Sequence, residues 1–130
     1  MDIVEAARLY LGAPFKHQGR YRHGVDCGGL LILAAREMGI YLQDIKGYHR
    51  MPDDQELKSA LDTQLIRTSR GAHATLYGDI LLMAFRKNPQ HIAIRTDKGI
   101  IHAHEDSGGV VEHNLDDRWL KRIRGVYVLG

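Results

Sequence analysis

Residues 24–33, GVDCGGLLIL, contain the chain's one cysteine, Cys27. It follows Asp26, a side chain suited to cap a helix N-terminus, and it opens an apolar run with helical spacing at 27, 30, 31, 34 and 38. A sulfur in the first helical turn lies among unpaired N–H groups and at the positive end of the helix dipole. Such a setting lowers a thiol pKa from ~8.5 into the ~3.5–7.5 range and makes a nucleophile. Gly28 and Gly29 each cost roughly 1 kcal/mol in a helix relative to alanine, and they leave room for a substrate backbone beside the sulfur. The competing reading is plain core, because Cys27 is in phase with Leu30, Leu31 and Ala34 and buried free cysteines are common.

A nucleophilic thiol needs a base, and the base needs an orienting group. Of eight histidines, His17, His23, His49 and His73 fall in loops, whereas His91, His102 and His104 fall in apolar, strand-like runs. Thr96-Asp97-Lys98-Gly99 reads as a hairpin turn pairing residue 95 with residue 100. Residue 93 would then face 102 and residue 91 would face 104, with His102 diagonal to His91 and within cross-strand reach. The same residues read as a half-exposed sheet face, or as zinc ligands, His102-x-His104 with His91 as the third. The zinc reading has no use for Cys27 or for the two glycines.

The elements that must position these groups are legible in outline. Residues 2–11 predict a helix ended by Gly12 and Pro14, residues 15–25 a polar loop, and residues 27–38 a buried helix stopped by Gly39. A third helix is expected from Pro52-Asp53-Asp54 to about Leu65. Strands are expected at 79–85, 91–95, 100–104, 110–113 and 125–129, with Trp119 in a short helical piece. Helices followed by an antiparallel sheet make an α+β domain, with the Cys27 helix packed on the sheet. Trp119 reads as core rather than as a sugar platform, and Asp26 as a cap rather than a catalyst.

At 130 residues and 44% hydrophobic, the chain suits one domain, 1–130, with its own core. Eighteen basic against sixteen acidic residues give a net charge of +2, too balanced for a nucleic-acid binder. A single cysteine forms no internal disulfide, and no CxxC pair offers itself to zinc. The first residues, MDIVEAARLYLGAPF, lack the basic-then-apolar order of a secretion signal, and no apolar run approaches a membrane span. The expectation is synthesis in the cytoplasm without a signal peptide, with neither nucleic acid nor membrane as partner.

Taken in order, GAPF, VDCGGLL, the GD that opens a strand, HIAI and IIHA resemble the boxes of the NlpC-type cell-wall cysteine peptidase family, from about residue 3 to residue 128. The resemblance implies a papain-like fold, Cys27 as nucleophile, His91 as general base, and His102 as the third residue that orients the base, with His104 in reserve. It implies hydrolysis of an amide in the peptide stem of peptidoglycan, commonly between D-γ-glutamate and a diamino acid, with no metal or cofactor. PFKHQGR, GYHRMPD, QHIAI and RWLKRIRGVYVL look most like members encoded in phage tail modules and gene-transfer particles, so phage tail proteins are expected partners and a phage-like tail the expected carrier. Phe15 stands where many members carry a tyrosine that assists at the oxyanion, which leaves His17 or Gln18 to supply that donor. Gly28 replaces the usual serine. Arg20, Arg22 and Arg50 are candidates for binding substrate carboxylates, because guanidinium forks match carboxylates. Two other classes remain open: a tail-assembly protein with this fold and little activity, and a Cys-His acyltransferase or amidase acting on another substrate.

Overall fold

A computed structural model describes residues 1–44, 56–85 and 89–129. Helix α1 spans Ile3–Arg8, opened by a reciprocal capping box in which Asp2 accepts from the Glu5 N–H and Glu5 from the Asp2 N–H. It is shorter than residues 2–11 because the N–H groups of Leu9, Tyr10 and Leu11 bond three residues back, and Gly12, at φ 84°, turns the chain away. The expected polar loop holds a small hairpin, β1 (Arg20–Tyr21) paired with β2 (Gly24–Val25). Helix α2 runs Cys27–Glu37 and helix α3 runs Glu56–Gln64; the expected start of α3 at Pro52 lies outside the described residues. Then come β3 (Ile66–Arg67), a 3₁₀ turn at Ala72–Ala74, β4 (Ile80–Ala84), β5 (Pro89–Arg95), β6 (Ile100–His104), β7 (Gly109–His113), α4 (Asp117–Leu120) and β8 (Ile123–Val128).

The large sheet is antiparallel, in the order β3-β8-β4-β5-β6-β7, so the fold is α+β as expected. Side chains alternate between its faces. Ile80, Leu82, Ile92, Ile94, Ile101 and Ala103 point into a core with α1, α2 and α3. Leu81, Met83, Ala93, Ile100 and Val126 point the other way into a second apolar layer capped by Trp119. Trp119 is 7% exposed and is core, as the sequence suggests. Arg8 ties α1 to the sheet through ion pairs with Asp97 in the β5–β6 turn and Glu112 on β7. No helix among the described residues is long and apolar enough to cross a membrane.

Two local features place the site. The β5–β6 turn closes with Thr96 N–H donating to Gly99 O, while the Thr96 hydroxyl accepts from the N–H groups of Lys98 and Gly99. This fixes the pairs Arg95↔Ile100 and Ile94↔Ile101, the predicted register. There the ladder stops. The further pairings of 93 with 102 and 91 with 104 do not form, and β5 and β6 part toward His91.

The other feature is the seating of α2. A Cβ on Gly29 would come within 2.1 Å of the Gly19 carbonyl oxygen, a backbone atom that cannot step aside. Gly29 therefore serves close packing of the 15–21 loop against α2, not access of a substrate to the sulfur. Gly29→Ala is expected to cost about 1–3 kcal/mol in overpacking and backbone shift, read as a lowered urea midpoint. A midpoint equal to wild type would show that the loop can yield there.

Candidate active site

Helix α2 begins where Asp26 caps it. The Asp26 carboxylate, 3% exposed, accepts from the Gly29 N–H at 2.8 Å, from the Gln18 N–H at 2.7 Å and from Arg20 at 2.8 Å. Asp26 is thus a cap and the anchor of the preceding loop. Gln18 has a left-handed backbone, φ 58°, unusual for a residue with a side chain. Its N–H, bound to Asp26, is not available as a donor to an oxyanion. Arg20 is shared between Asp26 and Asp44, both at 2.8 Å, so its charge is balanced by two carboxylates. Arg22 donates to the Leu9 carbonyl and lies over the Tyr10 ring. Neither arginine is thus held ready for a substrate carboxylate alone; Arg50 lies outside the described residues. His17 and Phe15 are half-buried on the same loop.

Cys27 is buried at the tip of α2, in the helical core. Arg95 donates its N–H to Asp79 O on the β4 side. Alternation along β5 therefore turns the Ile92 N–H toward β6, where the ladder has ended. That N–H acts on the Cys27 sulfur, one residue from His91. The nucleophile candidate lies on the helical side of the sheet, and the base candidate is on the strand whose Ile92 N–H meets the sulfur, one residue away along β5.

His91 Nε2 lies 2.6 Å from His102 Nδ1. His102 is fully buried, and its Nε2 lies 2.8 Å from Nε2 of His113, a residue the sequence reading passed over. His104 stacks on His102, centroids 5.1 Å apart and planes 12° apart, and turns its Nδ1 to the Ser107 hydroxyl. His102, not His104, is therefore the hydrogen-bond partner of His91. Trp119 presents its ring edge-on to His102 and His104, and Phe85 covers His91. Arg122 lies over Phe85 and Trp119. Among the described residues no three His, Cys, Asp or Glu side chains are arranged to hold a metal ion.

The electrostatics run against the expectation of a lowered thiol pKa. Burial, and then the Asp26 charge, push Cys27 up to about 12, and the N–H groups of Ile92 and Gly28 offset this only in part. Burial pulls His91 down to about 3, helped by the nearby His104 and Arg122. It pulls His102 down to about 2, with the neighbouring imidazoles adding to the effect. The resting pair is thus a neutral thiol and a neutral imidazole. Because a free histidine titrates near ~6.5, the unfolded chain takes up protons below that pH which the folded chain refuses. Folding stability is therefore full above pH ~6.5 and falls as the pH drops toward the folded values, by up to about 1.4 kcal/mol per pH unit for each of the two histidines. Urea midpoints that decline between pH 7 and pH 5, above the carboxylate range, are the expected result; a flat profile would mean that these imidazoles accept protons inside the fold.

A cavity of about 30 Å³ opens between α2 and α3, lined among others by Gly28, Leu31, Leu42, Leu61, Leu65 and Ile92. Arg20 borders it with its charge already paired.

The fold that holds these residues has counterparts among known proteins. The NlpC/P60 family pattern matches residues 12–128. The chain belongs to the NlpC/P60 family. No curated protein matches it significantly. Among solved structures it resembles the NlpC/p60 domain of the peptidoglycan hydrolase SagA, at TM-score 0.67 and 21% identity over 96% of this chain and 94% of that one. It also resembles an NlpC/P60 family protein from Bacillus cereus ATCC 10987, at TM-score 0.72 and 20% identity over 98% of this chain but 39% of that one. NlpC1 from Trichomonas vaginalis gives TM-score 0.74 and 16% identity, over 98% and 42%. These likenesses share the NlpC/P60 fold with this chain, which spans about two fifths of the two longer proteins.

Proposed function

We propose that this NlpC/P60 chain is a cysteine peptidase that hydrolyses an amide in the peptide stem of peptidoglycan, at the D-γ-glutamyl–diamino acid bond, with Cys27, His91 and His102 as its catalytic group. The observation that carries this reading is the burial of a thiol at a helix tip against the strand that bears His91, with His91 Nε2 bonded to His102. Because Nε2 faces His102, Nδ1 is the nitrogen left to take the thiol proton.

With thiol and imidazole both neutral at rest, proton transfer accompanies attack. His91 Nδ1 removes the Cys27 proton as the sulfur bonds to the amide carbon, and the carbonyl π pair moves onto oxygen. The Cys27 N–H, in the first turn of α2, receives the oxyanion, with the His17 or Gln18 side chain as second donor in place of the hydroxyl that Phe15 lacks; one such donor is worth ~10²–10³ in rate. As the carbonyl re-forms and the C–N bond breaks, the His91 imidazolium protonates the departing amine, a step worth ~10²–10⁴. Water, deprotonated by His91, then cleaves the thioester, and the proton returns to the sulfur.

The resemblance of PFKHQGR and RWLKRIRGVYVL to phage-tail members supports delivery in a phage-like tail, with tail proteins as partners and local opening of the wall as the task. Mass spectrometry of purified muropeptides incubated with the protein, beside Cys27→Ala, tests the activity. A new fragment pair that depends on Cys27 gives the bond by mass; intact muropeptides in both samples would overturn the peptidase reading and move the tail-structural one ahead. Peptides of this chain in purified tail particles would support the location, and their absence from such particles would overturn it.

A further inference from the structure

The histidine chain continues beyond the pair that the mechanism uses, and it ends on an atom whose role is not open to choice. His113 Nδ1 lies 2.9 Å from the backbone carbonyl oxygen of Asn114. A carbonyl oxygen only accepts, so His113 Nδ1 carries a proton. Neutral His113 then has a bare Nε2, which can only accept. His102 Nε2, 2.8 Å away, must therefore donate to it. With its single proton on Nε2, neutral His102 has a bare Nδ1, and His91 Nε2, 2.6 Å from that atom, must donate in turn. The proton of His91 is thereby held on Nε2, and its Nδ1 keeps a free lone pair. Three rings carry three protons, and each bond has one donor and one acceptor.

We propose that His113 is a positioning residue that, from the fixed point of the Asn114 carbonyl, sets the tautomer of His91 through His102 and so keeps Nδ1 able to accept the Cys27 proton. The proposal rests on the peptidase reading for its consequence in rate, but not for the tautomers themselves. The packing suits such a role. Trp119 lies against His102 and His113, with centroids 4.9 and 5.1 Å away, and His104 stacks on His102 from another side, so the rings have little freedom to turn. Burial keeps His91 and His102 neutral, the state in which a single proton per ring forces the alternation. When Nδ1 takes the thiol proton, the Nε2–H to His102 is already in place, and no ring has to flip.

The direct test is nitrogen NMR of the full chain with ¹⁵N-labelled histidine, since protonated and bare ring nitrogens differ widely in shift. The expected wild-type pattern is a proton on His91 Nε2, on His102 Nε2 and on His113 Nδ1; a proton on His91 Nδ1 at rest overturns the proposal without any variant. Variants then separate a tautomer role from a packing role. H113R offers only donors to His102 Nε2, and should reverse the chain so that His91 is protonated on Nδ1. Its kcat on muropeptides should fall by up to about 10⁴-fold, the loss a misplaced tautomer causes in a serine-protease triad, with little change in KM. H113Q retains an acceptor oxygen and should lose the least, with H113A between the two. The half-exposed position of His113 on β7 lets these variants fold, which a melting curve verifies. An unreversed His91 tautomer in folded H113R, or equal losses in H113R and H113Q, would sink the proposal. A wild type with the expected tautomers that cleaves no muropeptide would overturn the peptidase reading and support the tautomer assignment.

Discussion

On the proposed mechanism, Cys27→Ala is expected to lower muropeptide hydrolysis by on the order of 10⁶-fold, His91→Ala nearly as far, and the double variant to be scarcely worse than either. The non-additivity follows from the neutral resting pair. A thiol held near 12 by burial and by Asp26 has almost no thiolate of its own, so without His91 the sulfur has no route to the nucleophilic form. Without Cys27, His91 has no proton to move in the acylation step. Rates of amine release for the four proteins, compared at pH 7.5, measure this. A His91→Ala variant retaining more than about one hundredth of wild-type activity would show that another base serves Cys27. Alkylation by iodoacetamide gives an independent reading: it should be slow near neutral pH, because the ground state is a thiol.

The second large effect is on stability. Asp26→Ala is expected to cost about 3–5 kcal/mol, the range for removing one partner of a buried ion pair. The Asp26 carboxylate joins three segments by accepting from Gly29 on α2, from the strained Gln18 and from Arg20. Without it Arg20 loses one of its two carboxylate partners, and the N–H groups of Gly29 and Gln18 lose their acceptor. Asp26→Asn retains the shape and one of the two acceptor oxygens but not the charge, and should cost less than Asp26→Ala. Because the Asp26 charge helps to raise the Cys27 pKa, Asp26→Asn should also bring alkylation to a lower pH. Urea midpoints for the two variants measure the first effect. A loss in Asp26→Ala no greater than that of an ordinary surface cap, about 1 kcal/mol, would mean that the loop is held by other contacts.

Much of the site is legible in the chain because short-range rules govern it. Asp26 before Cys27 marks a helix tip, and the Thr96–Gly99 turn fixes a register from which the nearness of His91 and His102 follows. His113 could have been found by the same arithmetic carried across the next turn. His102 pairs with Val111 in β7, and His113, two residues on, shares that face and lies diagonal to His102. The ionisation of Cys27 was not legible, because it depends on how deeply distant segments bury the sulfur. Likewise the role of Gly29 depends on Gly19, ten residues earlier, whose carbonyl has no signature in the motif. The early stop of the β5–β6 ladder is not encoded in strand patterning, which continues apolar on both strands.

The two hydrophobic layers on opposite faces of the sheet have a consequence for how this protein ceases to work. Cys27 is anchored in the layer of α1, α2 and α3, while His91 and His102 are anchored in the layer closed by Trp119. The reaction centre is therefore a joint between two units that have different reasons to hold together. The four-residue helix α4 and its single tryptophan form the lesser of them. If the Trp119 layer loosens first on heating, the histidine pair is expected to lose its setting while the helices are still in place, so that near-UV signal from Trp119 would fall before helical signal does.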